Sequence, residues 1–284
     1  MITKKIDKFQ MNLDKKGGVS ADLLVNGSRE PAFMWIIKKE ASGGTAVDLG
    51  ANIGYVTLFL CDQMDKVICI EPDKRSRKLL KINIDLNNFS EKTDIYKFAA
   101  SNESSIKKMY FADKHNNLST LCKESFSKKD SYKTLKVETK MIDSLNLPEI
   151  NFIKMDIEGY EVEALKGSME TLKRSNNCKI LVEVHPHFYT EKRDFSKTLR
   201  DLVDIGFTFK YVVSAAVSCP DLFAVKGYKP FKSWVTGVHG RGIYKDIDTE
   251  DAINFSSFPH IQKTASGSVS NKIVRSILLS KVKE

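Results

Sequence analysis

Short apolar runs alternate along the middle of the chain with segments in which apolar residues recur at helical spacing. The runs that predict strands lie at residues 45–49, 67–70, 94–100, 151–157, 179–184, 207–213 and 221–225. The segments that predict helices between them lie at residues 54–64, 74–86, 159–174 and 195–204. Because strands that alternate with helices form parallel sheets covered on both faces, we predict an α/β fold with a seven-stranded, mostly parallel sheet. Only a short link joins the last two strands, which predicts a C-terminal antiparallel hairpin.

The predicted elements divide the chain into three parts. Residues 1–42 form an N-terminal extension with a lead-in helix, residues 43–227 form the α/β domain, and residues 228–284 form a C-terminal extension. Within the domain, residues 101–148 are weakly patterned and are predicted to be a variable insert that chooses the substrate. A parallel sheet that ends in an antiparallel hairpin is the layout of the Rossmann-like class I methyltransferase fold, which we expect here.

The end of the chain is predicted to form a basic helix over residues 271–283. One broad side of this helix is apolar, and lysine and arginine surround it. Packing onto its own domain or against the mate in a homodimer is the preferred interpretation. Peripheral contact of residues 271–284 with a membrane surface is the alternative.

Composition restricts the class of protein and its partners. The hydrophobic share is 42%, and the formal charge is +9. A lysine-rich surface permits acidic partners, but the chain has no arginine-rich arm or aromatic-basic stripe, so nucleic acid is not expected. The five cysteines are scattered, which favours a reducing compartment. With no apolar leader segment and no run of 18 apolar residues, we expect a cytoplasmic protein.

The turn after the first predicted strand indicates a nucleoside cofactor. Asp48, Gly50, Asn52 and Gly54 form the pattern D-x-G-x-N-x-G, and Glu71 follows the second strand, 21 positions after Gly50. A dinucleotide fingerprint requires glycine where Asn52 stands. The pattern instead suits S-adenosylmethionine, whose ammonium Asp48 would receive, directly or through water, and whose ribose diol Glu71 would bind. The N-terminus of the next helix favours the cofactor's carboxylate.

Polar side chains gather where the fourth and fifth predicted strands end. Asp156 and Glu158 follow one strand, and Glu183 and His185 follow the next. Neighbouring parallel strands end at the same edge, so these four should converge beside the methyl donor. His185, or Asp156 as the alternative, would serve as general base, with His185 preferred for a near-neutral pKa. The cluster also resembles a site for a hard metal ion, but no metal is expected. Structural roles are the alternative for two of the residues: Glu158 as an acid at a helix N-terminus, and His185 as a strand-end histidine that bonds the backbone.

Several sequence blocks together resemble the FkbM-type methyltransferases. They are VDLGANIGYVTL, CIEPD, FAASNESS, FIKMDIEGYEVEALKG and ILVEVHP, which occur in that family's order over about residues 43–227. The resemblance implies transfer of a methyl group from S-adenosylmethionine to oxygen, often a hydroxyl of a sugar or a natural product. The expected acceptor is therefore a small-molecule or glycan hydroxyl.

The resemblance also implies roles for the matching residues. Asp156 and Glu158 match the block beside the reacting methyl group, where Asp156 also contacts the cofactor. Glu183 and His185 match the family's E-x-H pair. The polar loop segment that resembles a cofactor contact consists of Asn117, Leu118 and Ser119.

Three other functions stay open on the sequence alone. An RNA methyltransferase is suggested by the charge and by the basic residues 74–78, although no N-P-P-Y-like motif accompanies them. An NAD-dependent oxidoreductase is disfavoured by the missing glycine. A non-catalytic protein that keeps the fold for binding is disfavoured by the retention of both acid pairs.

Overall fold

The computed structural model describes residues 1–15, 18–112, 119–123, 131–236, 239–263 and 267–281. Its strands are β1 (Ile2–Ile6), β2 (Phe9–Leu13), β3 (Thr45–Leu49), β4 (Lys66–Ile70), β5 (Thr93–Tyr96), β6 (Ala99–Ala100), β7 (Ser105–Ala112), β8 (Ser119–Thr120), β9 (Tyr132–Lys140), β10 (Phe152–Met155), β11 (Cys178–Glu183), β12 (Thr208–Ser214), β13 (Lys232–Thr236), β14 (His239–Tyr244), β15 (Gln262–Lys263), β16 (Val269–Ser270) and β17 (Val274–Lys281).

The helices pack on both faces of the main sheet. They are α1 (Gly18–Asn26), α2 (Pro31–Glu40), α3 (Tyr55–Gln63), α4 (Lys74–Leu86), α5 (Glu161–Lys166), α6 (Met169–Arg174), α7 (Phe195–Asp204), α8 (Asp221–Val225) and α9 (Thr249–Ser257). Short 3-10 turns lie at Ser90–Lys92, Ile142–Leu145 and Pro186–Phe188. Helices α1 to α4 share one buried cluster with one face of the sheet, and α5 to α9 share another with the opposite face.

Local sequence signals explain where the helices begin. Pro31 occupies the first turn of α2, where its missing N–H is not needed. Asp73 and Asp194 are the N-caps of α4 and α7, and their side chains accept hydrogen bonds from the backbone amides of Arg75 and Lys197. Within the described ranges, no helix is both long and apolar enough to cross a lipid bilayer.

The main sheet has nine strands, not the seven predicted, in the order β13-β14-β12-β17-β11-β10-β3-β4-β5. The half from β11 to β5 is parallel, as predicted for the middle of the chain. In the other half, β11 to β13 are joined by antiparallel pairings through β17, β12 and β14. The sheet is therefore mixed, with a parallel half that holds the predicted strand ends. The predicted insert forms a separate four-stranded sheet in the order β6-β9-β7-β8.

The C-terminal elements differ from the prediction. Residues 221–225 form helix α8, so the predicted hairpin is wrong, and β12 pairs instead with β17 and β14. The predicted terminal helix is also wrong, because Val274–Lys281 is the strand β17 between β11 and β12. Ile277, Leu278 and Leu279 are fully buried in succession. A continuous apolar run fits a strand that is covered on both faces as well as it fits a buried helix. The spacing of apolar residues therefore could not distinguish the two, and the helix was the wrong choice.

These differences change how the end of the chain is understood. Strands β13, β14 and β17 belong to the main sheet, which therefore extends past residue 227. Membrane contact through residues 271–284 rested on an exposed apolar helix side, but the apolar residues of β17 lie inside the sheet.

Candidate active site

A cavity opens at the carboxyl ends of the parallel strands, where ligands bind in sheets of this kind. Helices α1 and α2 and the insert sheet also contribute to its wall. Its lining includes Arg29, Glu30, Phe33, Met34, Gly50, Asn52, Glu71, Ala99, Met109, Ser119, Thr120, Lys154, Asp156, Glu158, Tyr160, Glu183 and Arg275. The cavity thus joins the predicted cofactor turn to the predicted cluster of acids.

The glycine turn between β3 and α3 forms one wall of this cavity. Gly50 has a φ of 75°, and an added Cβ would lie 2.1 Å from the backbone oxygen of Asp156. Gly54 has a φ of 90°, and an added Cβ would lie 2.8 Å from Leu80. Both positions therefore require glycine, one of them because two strand ends approach each other closely.

Glu71 is fixed at the cavity by backbone amides. One carboxylate oxygen accepts a hydrogen bond of 2.8 Å from the amide of Asn52, and the other accepts one of 2.8 Å from the amide of Asp73. Burial raises the pKa of Glu71 to about 7. Each oxygen keeps a second lone pair, so the carboxylate can accept hydrogen bonds from the hydroxyl groups of a ligand in the cavity.

Asp48 lies beneath the glycine turn and is paired with Lys154. Its carboxylate is fully buried, 3.1 Å from the Nζ of Lys154, and accepts a hydrogen bond of 2.7 Å from the hydroxyl of Thr57. Lys154 also donates to the carbonyl of Gly50 at 2.8 Å. Among the described residues, Lys154 lines the cavity and Asp48 lies behind it. Direct contact of Asp48 with a cofactor ammonium does not fit this position, and contact through water stays a prediction.

The four predicted residues at the strand ends do converge. Ligand atoms of Asp156, Glu158 and His185 all lie within 4.8 Å of one another. The Nε2 of His185 is 3.3 Å from Glu183 and 3.4 Å from Glu158. In the described part of the chain, Oδ1 of Asp156 is buried without a hydrogen-bond partner. Burial and the nearby charge of Glu183 raise the pKa of Asp156.

Of the described residues, three of these four form a group that could hold a metal ion. Asp156, Glu158 and His185 offer two carboxylates and an imidazole within that 4.8 Å. The expectation of a metal-free site stays a prediction. Burial raises the pKa of the Glu158 carboxyl to about 7, so its charge depends on what occupies the space beside it.

His185 does not have the near-neutral pKa that the sequence suggested. Burial alone would lower its pKa, but the carboxylate of Glu161, 3.0 Å from Nδ1, together with Glu183 and Glu158, raises it to about 10. At neutral pH His185 is therefore an imidazolium held among carboxylates. A cation has no lone pair with which to accept a proton, so His185 is a poor general base.

Sequence reasoning missed two residues that organise this cluster. Glu161 is fully buried and accepts hydrogen bonds from the hydroxyl of Tyr189 at 3.1 Å and from the amide of Gly159 at 2.9 Å. Glu161 belongs to the block FIKMDIEGYEVEALKG, three positions after Glu158, and this place in the sequence could have marked it as a site residue. Arg275 of β17 lies 2.6 Å from Glu183 and 2.7 Å from Glu30. No signal marked Arg275, because its segment was predicted to be a helix.

The loop residues expected to contact the cofactor are only partly visible. Asn117 and Leu118 lie outside the described residues. Ser119 begins β8 and lines the cavity. Its neighbour Thr120 donates a hydrogen bond of 2.6 Å to the carbonyl of Glu158, whose φ of 54° is left-handed. The insert sheet therefore contacts the strand end that carries the acids.

Comparison with known proteins identifies relatives. The sequence family described as Methyltransferase FkbM domain matches residues 48–209, more than half of the chain. A methyltransferase FkbM from Methylobacillus flagellatus is similar at 19% identity and a TM-score of 0.42, over 70% of this chain and 43% of that chain. This chain therefore spans less than half of that protein. Among curated proteins, none matches the sequence.

Two further solved structures that match this chain are more distant in sequence. A SAM-dependent O-methyltransferase from Thermotoga maritima shares 12% identity, with a TM-score of 0.41, over 93% of this chain and 71% of that chain. An rRNA methylase from Streptococcus thermophilus shares 10% identity, with a TM-score of 0.43, over 90% of this chain and 98% of that chain.

Proposed function

The chain belongs to the FkbM methyltransferase family, and we propose that it methylates a hydroxyl oxygen of a sugar, a glycan or a small-molecule natural product. The observation that carries this proposal is the position of the Asp156 carboxylate. This carboxylate meets the cavity beside the glycine turn, with one buried oxygen that has no hydrogen-bond partner among the described residues. Asp156 also lines the cavity, so its carboxylate can accept a hydrogen bond from the hydroxyl of a ligand there.

The residues at the turn fit the cofactor that the family implies, S-adenosylmethionine. Glu71 presents a carboxylate fixed by two amides, which suits a ribose diol. Gly50 lets β3 turn sharply against the backbone of Asp156, which brings the turn and the strand end to the same wall of the cavity. The amides at the start of α3 favour a carboxylate. When bound, S-adenosylmethionine supplies an electrophilic methyl group.

Asp156 is the better candidate for the general base. Its raised pKa makes its carboxylate a stronger proton acceptor than an exposed aspartate. His185, already an imidazolium, instead places a positive charge beside the acids and orients them. The role of Asp156 would be to accept the hydroxyl proton of the acceptor.

The acceptor would enter between the N-terminal helices and the insert sheet. Phe33 and Met34 of α2 line the cavity on one side, and Met109 and Ser119 of the insert line it on another. This mixture of apolar surface and carboxylates suits a molecule with both carbon skeleton and hydroxyl groups. The position of the insert supports its predicted role in substrate choice.

The test combines cofactor binding with turnover. Calorimetry should detect binding of S-adenosylhomocysteine and none of NAD. Labelled methyl transfer to a panel of sugars, glycans and hydroxylated natural products should then find an acceptor whose product carries an O-methyl group. Asp156→Asn should lower kcat by about 10²–10⁴-fold while retaining S-adenosylhomocysteine binding.

The matched control removes an exposed acid far from the cavity. Glu250→Gln on α9, a residue 66% exposed, should leave kcat unchanged. Full turnover by Asp156→Asn would overturn the assignment of the base. Methylation of RNA with a steep dependence on salt, or a product methylated on nitrogen, would overturn the proposed acceptor class.

A further inference from the structure

Four aromatic side chains that are far apart in sequence meet at the antiparallel edge of the sheet, where Tyr211 is buried beneath the other three. The ring centroid of Trp35 on α2 lies 5.8 Å from those of Tyr211 and Phe231 and 6.1 Å from that of Trp234. The chain has two tryptophans, and both are here. The expectation that no aromatic-basic surface exists rested on the linear sequence, in which these residues are separated by up to about 200 positions.

Exposed lysines surround these rings. The Nζ of Lys39 lies 4.9 Å from the ring centroid of Trp35, and that of Lys232 lies 5.1 Å from Trp234. The Nζ of Lys245 lies 4.5 Å from the ring of Phe231. Residues 222–245 contain five lysines or arginines and no acid, so the charge of this edge is not compensated by that segment. These three lysines, together with Trp35, Phe231 and Trp234, are called the aromatic–lysine surface below.

We infer that the aromatic–lysine surface docks on an anionic phospholipid bilayer. Tryptophan rings favour the headgroup layer of a bilayer, and lysine heads extend from such rings toward phosphate. Phe231 is 44% exposed and Val235 on the edge strand β13 is 77% exposed, which adds apolar area beside the charges. Cations and aromatic edges on one side of a protein are complementary to acidic lipid.

The geometry disfavours the other two occupants. Single-stranded nucleic acid stacks its bases on free ring faces, but Lys39 and Lys232 both lie over Trp35, and Lys245 lies over Phe231. A second copy of this chain would bring the same lysines against each other around a twofold axis, which is repulsive. A bilayer tolerates both features, because phosphates contact the ammonium groups that already cover the rings.

This inference does not depend on the proposed methyl acceptor. Helix α2 carries Trp35 on the aromatic–lysine surface and Phe33 and Met34 at the cavity, so docking would hold the cavity wall beside the membrane. Both tryptophans belong to the proposed contact. Their fluorescence therefore reports directly on the surface that is expected to bind.

The test uses the full chain and vesicles of phosphatidylcholine, with or without phosphatidylserine. Cosedimentation should show binding only when phosphatidylserine is present, with a blue shift of tryptophan emission and weakening by salt. Each lysine contributes about fivefold to partitioning, so the triple variant Lys39→Gln, Lys232→Gln and Lys245→Gln should bind about 100-fold more weakly.

The matched control removes the same charge from α4. The variant Lys74→Gln, Lys78→Gln and Lys81→Gln alters three exposed lysines and should change partitioning by less than about fivefold. If the first triple variant fails to fold, Val235→Glu replaces it, with an expected loss of about tenfold or more.

Four results would overturn the inference. They are no binding to phosphatidylserine vesicles, an equal loss for the two triple variants, binding without any change of tryptophan emission, and emission that responds to oligouridylate or to protein concentration instead of lipid. The last of these would assign the surface to nucleic acid or to a second copy.

Discussion

The buried pair of Lys154 and Asp48 offers the sharpest test of what holds the cofactor turn. The two side chains are 4% and 0% exposed, with Nζ and Oδ1 3.1 Å apart. Lys154 also donates to the carbonyls of Leu49 and Gly50. Lys154→Met keeps the volume of the side chain but leaves Asp48 buried as an unpaired charge.

Removal of one partner from a buried ion pair costs about 3–5 kcal/mol. For a chain of this size that corresponds to a fall in Tm of about 6–20 °C. The pair Lys66 and Asp94 is the matched control, because its N–O distance is 3.0 Å but its side chains are 37% and 48% exposed. Lys66→Met should therefore cost less than about 1 kcal/mol.

The assay is urea unfolding of the wild type, Lys154→Met, Lys66→Met and the double variant Lys154→Met with Asp48→Asn. The double variant should recover about 1–3 kcal/mol relative to Lys154→Met, since it no longer buries an unpaired charge. Equal destabilisation by Lys154→Met and Lys66→Met would refute the reasoning that burial makes this pair important.

Three other outcomes follow from the site. Gly50→Ala should abolish S-adenosylhomocysteine binding in calorimetry, because the new Cβ would meet a backbone oxygen at 2.1 Å. The control is Gly227→Ala, which has a φ of 81° and open space around it and should retain binding. Equal losses of binding in the two variants would contradict this prediction. Cofactor affinity should fall from pH 8 to pH 6 as Glu71, whose pKa burial raises to about 7, becomes protonated; Glu71→Gln should give a flat profile. Burial lowers the pKa of His185, but Glu161, with Glu183 and Glu158, raises it from 6.5 to about 10, so these contacts stabilise the fold fully below pH 6.5 and progressively less toward pH 10; urea unfolding of Glu161→Gln should show a smaller slope.

Elements with one apolar face or a clear boundary could be predicted from the sequence. Strand β3 and helix α4 have the bounds that the pattern predicted, because a glycine turn ends one and Asp73 caps the other. The convergence of Asp156 with His185 followed from topology alone, since neighbouring parallel strands end at one edge. Such inferences need only the order of strands, not the packing of side chains.

Features that depend on residues distant in sequence could not be predicted. The pKa of His185 is set by Glu161, and the position of Asp48 is set by Lys154, yet neither contact is visible in the spacing of motifs. Strand β17 is apolar on both faces, so its pattern fits a helix equally well. Its true neighbours are decided by tertiary pairing.

The central position of β17 has a consequence for how the protein is made. This strand separates β11 from β12, yet it is synthesised after every other described strand. While the ribosome is still translating, β11 exposes an unpaired edge and Glu183 lacks Arg275. Nascent chains arrested before residue 274 should therefore be sensitive to protease, and chains released after residue 281 should resist it. Equal resistance would mean that the sheet closes without its last strand.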